Sequence, residues 1–223
     1  MHGWSGVGIA IVAWLAAAAG IIAGGLLLGP AADPLFLVLA AQAAALLPVL
    51  VLLPVLGARA LGLGPCRPLA VLAGAAWGVV ALGVSLAGFG LTVLLIGQPP
   101  ESERAVERVL HGLHADLGAI GLLAIAALLP GVVEELLFRG VILRGLRCRL
   151  SPSAAVIITA LLFAALHLSP WRFLPQLLMG CLMGWLALRH GSVWPAVAAH
   201  AVHNGLVLAA MLGAEALGVR PDA

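Results

Sequence analysis

Apolar residues in this chain come in long runs, without the strict alternation of a half-buried strand. Seven such runs cover residues 6–29, 35–56, 69–96, 117–138, 153–168, 173–188 and 193–212. Crossing a bilayer takes about 20 mostly apolar helical residues, so each run is read as a transmembrane span. Pro48 and Pro54 interrupt the second run and should kink it. The third is long enough to tilt or to break in two.

Residues 98–116 form the one extended polar segment. After Pro99 and Pro100, it sets Val106, Val109, Leu110, Leu113 and Leu117 at helical spacing, with Glu103, Arg104, Glu107, Arg108 and His111 opposite. That pattern predicts an amphipathic helix lying in the membrane interface, as a connector or as a gate for substrate. The expected fold is all-α: a polytopic integral membrane protein built as a single bundle of about seven transmembrane helices. Residues 1–116 would hold the N-terminal spans and the interfacial helix, residues 117–212 the core helices, and residues 213–223 a polar tail. The first run is too long for the apolar part of a signal peptide and has no charged segment before it, so it is read as a span.

Composition agrees with the pattern. Of 223 residues, 63% are hydrophobic and 9% charged, and the mean hydropathy is +1.18. A soluble fold cannot hide that much apolar surface. A net charge of +2 with no basic stripe excludes a nucleic-acid partner. Cys66, Cys148 and Cys181 are odd in number and far apart, which suits neither a disulfide framework nor a metal or redox motif. Every basic residue other than histidine is arginine, and the Arg-, Ala- and Leu-rich style points to a bacterial cytoplasmic (inner) membrane. Trp4, Trp171 and Trp194 fall at span ends, where aromatic belts sit. Arg59, Arg67, Arg144, Arg147, Arg149 and Arg189 lie in loops on the side of the N-terminus, against Arg104, Arg108, Arg172 and Arg220 on the other. The positive-inside rule then puts the N-terminus in the cytoplasm.

Against this apolar background, a few polar groups stand out. Glu134, Glu135 and Arg139 lie at the end of the fourth run. A charge near the bilayer centre costs roughly 2.5–3.5 kcal/mol on insertion scales, so three within six residues call for an explanation. Glu135 and Arg139 are i,i+4 neighbours in the favoured acid-first order and should neutralise each other. Glu134 points about 100° away on a helix of 3.6 residues per turn, which leaves it free for chemistry. The fifth run ends on His167, and the seventh carries His200 and Asn204 on one face, with His203 rotated away. Polar groups in hydrocarbon turn inward and find one another, so one buried polar cavity is expected.

A carboxylate beside an imidazole can hold and deprotonate water, and a histidine and an amide opposite can donate hydrogen bonds to a developing oxyanion. That is the equipment for peptide-bond hydrolysis. Neither GxSxG nor HExxH occurs, and Ser169 is the only serine close to one of these histidines. The competing reading is a proton- or ion-coupled transporter subunit using the same polar cluster. It is weakened because the ionisable groups crowd into the second half of the chain, without two matched halves.

Glu134-Glu135-x-x-x-Arg139, Phe163-x-x-x-His167 and His200-x-x-x-Asn204, in that order, resemble the three motifs of the CPBP family. This family comprises the type II CAAX prenyl endopeptidases and the bacteriocin-processing, Abi-like intramembrane proteases. Residues 136–140 and 191–195 are also similar to it, and the resemblance covers about residues 117–212. It implies a catalytic core in that region and an endopeptidase acting on a membrane-associated protein or peptide in the lipid bilayer. By the same resemblance, Glu134 with His167 would activate water, His200 and Asn204 would stabilise the oxyanion, and Glu135 and Arg139 would support them. No cofactor is then required. The alternative is a catalytic zinc held by His167, His200 and Glu134, since members of the family are often called metalloproteases.

Overall fold

The computed structural model describes residues 3–29 and 32–217. Expectations resting on Arg220, and on the side chains of Trp4 and Arg104, fall outside the described residues. Within them every regular element is a helix. Three long apolar helices come first: α1 (Gly3–Leu28), α2 (Pro34–Leu56) and α3 (Pro68–Ile96). Proline sits in the first turn of α2 and of α3, where its missing N–H is not needed. Asp33 caps α2, its Oδ1 accepting a hydrogen bond from the Leu35 N–H at 2.7 Å.

A 3₁₀ turn (Glu101–Arg104) leads into α4 (Ala105–Leu123). Leu113 is buried there beneath Val109 and Leu110, packed with Leu122, Ala127 and Leu208, whereas Val106 and Leu117 are exposed. The apolar stripe expected of the interfacial helix is therefore occupied in its middle and open at both ends. At Gly118 the backbone turns to φ 67° and ψ 178°, a conformation only glycine adopts readily. That break separates the amphipathic segment from the membrane span beyond it.

The span continues through α5 (Leu129–Glu135) and α6 (Leu143–Leu146), and is interrupted by two wide π-helical stretches, Ala124–Leu128 and Leu136–Ile142. It is followed by α7 (Pro152–Ala165), α8 (Pro170–His190) and α9 (Trp194–Ala216). Among the described residues, five helical segments are long and apolar enough to cross a membrane: Gly6–Leu28, Pro34–Leu56, Pro68–Ile96, Val106–Leu146 and Trp194–Ala214. The chain is a multi-pass, all-α integral membrane protein. The fifth and sixth expected runs form α7 and α8. At 14 residues, α7 reaches only about 21 Å at 1.5 Å per residue, short of a full crossing.

Close backbone approach holds the bundle together. A side chain at Gly74 of α3 would collide with the Pro195 carbonyl of α9, and one at Gly78 would come within 2.6 Å of the Ala199 carbonyl. The same small-residue logic seats Gly180 of α8 on Ala160 of α7. The buried core gathers around Leu137, Phe138, Val141, Ile142, Phe163, Met179 and Met183, while Leu26, Leu27, Leu94 and Ile120 face outward, as a lipid solvent requires.

Candidate functional site

The helix that carries the two glutamates is irregular for a local reason. Pro130 lacks an N–H and its ring crowds the carbonyl four residues back, so the turn before it opens until the Leu129 N–H reaches the Ala124 carbonyl. A second wide stretch follows Glu135, closed by the Leu143 N–H on the Phe138 carbonyl. Such π-helical turns are rare and recur at functional sites.

Glu135 and Arg139 are completely buried and form an ion pair at 3.0 Å, the partnership their spacing predicts. Arg139 also donates from Nη2 to the Gly180 carbonyl at 3.0 Å, and its guanidinium lies 5.0 Å from the Phe163 ring centroid. Glu135 Oε1 is shared with His200 Nδ1 at 2.8 Å. Facing an ion-paired carboxylate, His200 carries a proton on Nδ1 and turns Nε2 towards Glu134 Oε2, 3.9 Å away. Arg139 Nε and Glu135 Oε2 have no hydrogen-bond partner, so this buried network is not fully satisfied.

Glu134 is different. Its side chain keeps 19% of its surface and accepts a hydrogen bond from Gln42 Nε2 of α2, at 3.3 Å. Glu134, Gln42, Phe138, Phe163 and His167 line a cavity of about 160 Å³, room for several waters. His167 lies just past the end of α7, with Nδ1 3.0 Å from the Phe163 carbonyl. A carbonyl only accepts, so Nδ1 holds the proton and Nε2 is a free acceptor. The next residue, Leu168, has φ 50°, a left-handed conformation uncommon outside glycine. Phe163 stands between the two histidines, its ring centroid 4.9 Å from His167 and 6.0 Å from His200.

Asn204 is bonded to its neighbour: its Oδ1 accepts from His203 Nδ1 at 3.0 Å, while His203 Nε2 meets the Ser85 hydroxyl of α3 at 3.1 Å. With Oδ1 occupied, the Asn204 amide has its N–H groups left to donate. The structure thus joins Glu134, Glu135, Arg139 and His200 through direct contacts, and brings His167 to the same cavity as Glu134. Asn204 is tied to His203 and not to His200.

Sequence reasoning left Gln42 and His203 without a role. Gln42 did carry a signal, being the only polar side chain in the run 35–56. Its partner lies 92 residues away, which no local pattern reveals. The donor set for a zinc ion does not converge: among the described residues, no group of three or more His, Cys, Asp or Glu is placed to hold a metal. None of Cys66, Cys148 and Cys181 enters a disulfide.

Residues 116–206 match the model of the Rce1-like family, described as type II CAAX prenyl endopeptidase. Comparison with curated proteins and with solved structures gives no match. The matched stretch includes Glu134, Glu135, Arg139, His167, His200 and Asn204; Gln42 lies outside it.

Proposed function

We propose, from the premise that this chain belongs to the CPBP family of CAAX-type membrane endopeptidases through residues 116–206, that it hydrolyses a peptide bond by metal-independent, glutamate-driven catalysis. Its substrate is a membrane-associated protein or peptide that reaches the cavity from the bilayer. One observation carries the reading. Of two adjacent glutamates, Glu135 is sealed and neutralised by Arg139, while Glu134 opens on a cavity it shares with His167.

In this mechanism a water molecule sits between Glu134 and the free Nε2 of His167. Glu134 takes one proton as the water oxygen attacks the scissile carbonyl carbon. The carbonyl oxygen becomes an oxyanion, met by hydrogen bonds from His200 Nε2 and the Asn204 amide. For that role His200 carries protons on both nitrogens, with Glu135 holding Nδ1 at 2.8 Å. Collapse breaks the C–N bond, and the proton held by Glu134 passes to the leaving nitrogen.

The test is substrate trapping in native membranes. Glu134→Gln should retain a membrane-bound polypeptide that the wild type turns over, with cleavage lost and the protein still folded. Turnover close to wild type in Glu134→Gln would refute Glu134 as the base.

A further inference from the structure

Gln42 belongs to α2, outside the stretch that matches the family. Its Nε2 donates to Glu134 Oε1 at 3.3 Å, which fixes the orientation of the amide because an ionised carboxylate only accepts. The other end of that amide, Oε1, is buried and has no hydrogen-bond partner. A buried acceptor left unpaired is costly, so native structures rarely keep one without a reason.

The cavity shows what kind of partner is missing. Gln42, Glu134 and His167 are its polar lining residues, and with Gln42 Nε2 committed to Glu134, the groups left there, the Glu134 carboxylate, His167 Nε2 and Gln42 Oε1, are acceptors. A water bound for attack has two hydrogens, and Glu134 and His167 take both. Gln42 Oε1 remains, and needs a donor that is not the attacking water. A peptide in the cavity brings such a donor next to the reacting carbon: the N–H of the bond to be cut.

We propose that Gln42 is a substrate-binding residue of this site, holding Glu134 with Nε2 and accepting the scissile N–H of the peptide with Oε1. The inference rests on the endopeptidase reading above and adds to it a preference for a secondary amide, the bond with an N–H, over an ester. The two ends of one side chain would thus set the distance between base and substrate.

The experiment uses the full chain in detergent and two probes. One is a lipidated CAAX-type peptide with a fluorophore and a quencher on either side of the cleaved bond. The other is its depsipeptide twin, with an ester oxygen in place of the scissile N–H. Gln42→Leu removes both functions of the amide. It should lower kcat/KM on the amide about tenfold more than on the ester, the weight of one hydrogen bond. Gln42→Glu keeps an acceptor oxygen but puts a second carboxylate against Glu134. It should slow both probes and preserve the amide preference. Equal losses on the two probes in Gln42→Leu, or loss of the preference in Gln42→Glu, would overturn the role of Oε1, leaving the endopeptidase reading intact. A wild-type protein that cleaves neither probe would overturn this inference, while substrate trapping by Glu134→Gln decides the endopeptidase reading. Because the two substitutions differ in shape and charge, either one alone decides the matter if the other fails to fold.

Discussion

Glu135 and His200 share a hydrogen bond of 2.8 Å across two helices, on the same carboxylate oxygen that Arg139 reaches at 3.0 Å. One oxygen therefore serves a guanidinium from its own helix and an imidazole from α9. The link makes Glu135 more than a counter-ion: it sets which nitrogen of His200 faces the reacting groups.

The stability of this cluster should be lopsided. Arg139→Ala leaves Glu135 buried without its cation and should cost about 3–5 kcal/mol. Replacing Glu135 and Arg139 together by leucine should cost less than the single change, because no unpaired charge remains. Melting temperatures in detergent should rank wild type, then the double variant, then Arg139→Ala. A single variant that melts with the wild type would show the pair to be dispensable.

Asn204→Ala should lower turnover by about 10²–10³, the usual loss for one oxyanion donor, with the melting temperature retained. His203→Ala should lose less, because it only orients the Asn204 amide through the 3.0 Å bond to Oδ1. A kcat in His203→Ala as low as in Asn204→Ala would give His203 a direct part in the reaction.

Activity should survive removal of metal. Dialysis of the purified protein against a strong chelator, with metal content measured before and after, should leave cleavage of a peptide probe unchanged. Stoichiometric zinc, with activity lost on chelation and restored by zinc alone, would replace the glutamate-only mechanism by one in which His167, His200 and Glu134 ligate the ion.

Topology can be read by labelling. On a background without Cys66, Cys148 and Cys181, Arg59→Cys should react with an impermeant thiol reagent only after the membrane is opened. Glu107→Cys, on the exposed side of α4, should react in intact cells. The reverse pattern would invert the orientation given by the arginine bias.

Much of this could be read from the chain because its physics is local. Hydrophobic runs gave α1, α2, α3 and α9 nearly to their ends, and i,i+4 spacing gave the Glu135–Arg139 pair. The rest depends on partners distant in sequence or on strain. Nothing in the order of residues says that Gln42 will meet Glu134, or that His200 will choose Glu135. The break at Gly118 was hidden in a run of apolar residues, as was the shortness of α7. The wide turns around Glu134 depend on how the helix absorbs Pro130, which periodicity assumes away. His200 and Asn204 sit four residues apart on α9, as their spacing says, but the bond that takes up Asn204 Oδ1 comes from the adjacent His203, which helical periodicity does not foretell.

At Gly74 the seam between α3 and α9 is made of main-chain atoms, and at Gly78 the nearest atom is again main chain, the Ala199 carbonyl, beside the Val202 side chain. Main chain cannot repack, so even a methyl group at either position has to push a whole helix, and α9 is the helix that bears His200. On the lipid-facing side of α3, exposed Leu72, Val79 and Leu86 meet only hydrocarbon and can exchange among apolar residues at little cost. Two clocks should therefore run along one helix, a slow one at the glycines and a fast one a few residues away.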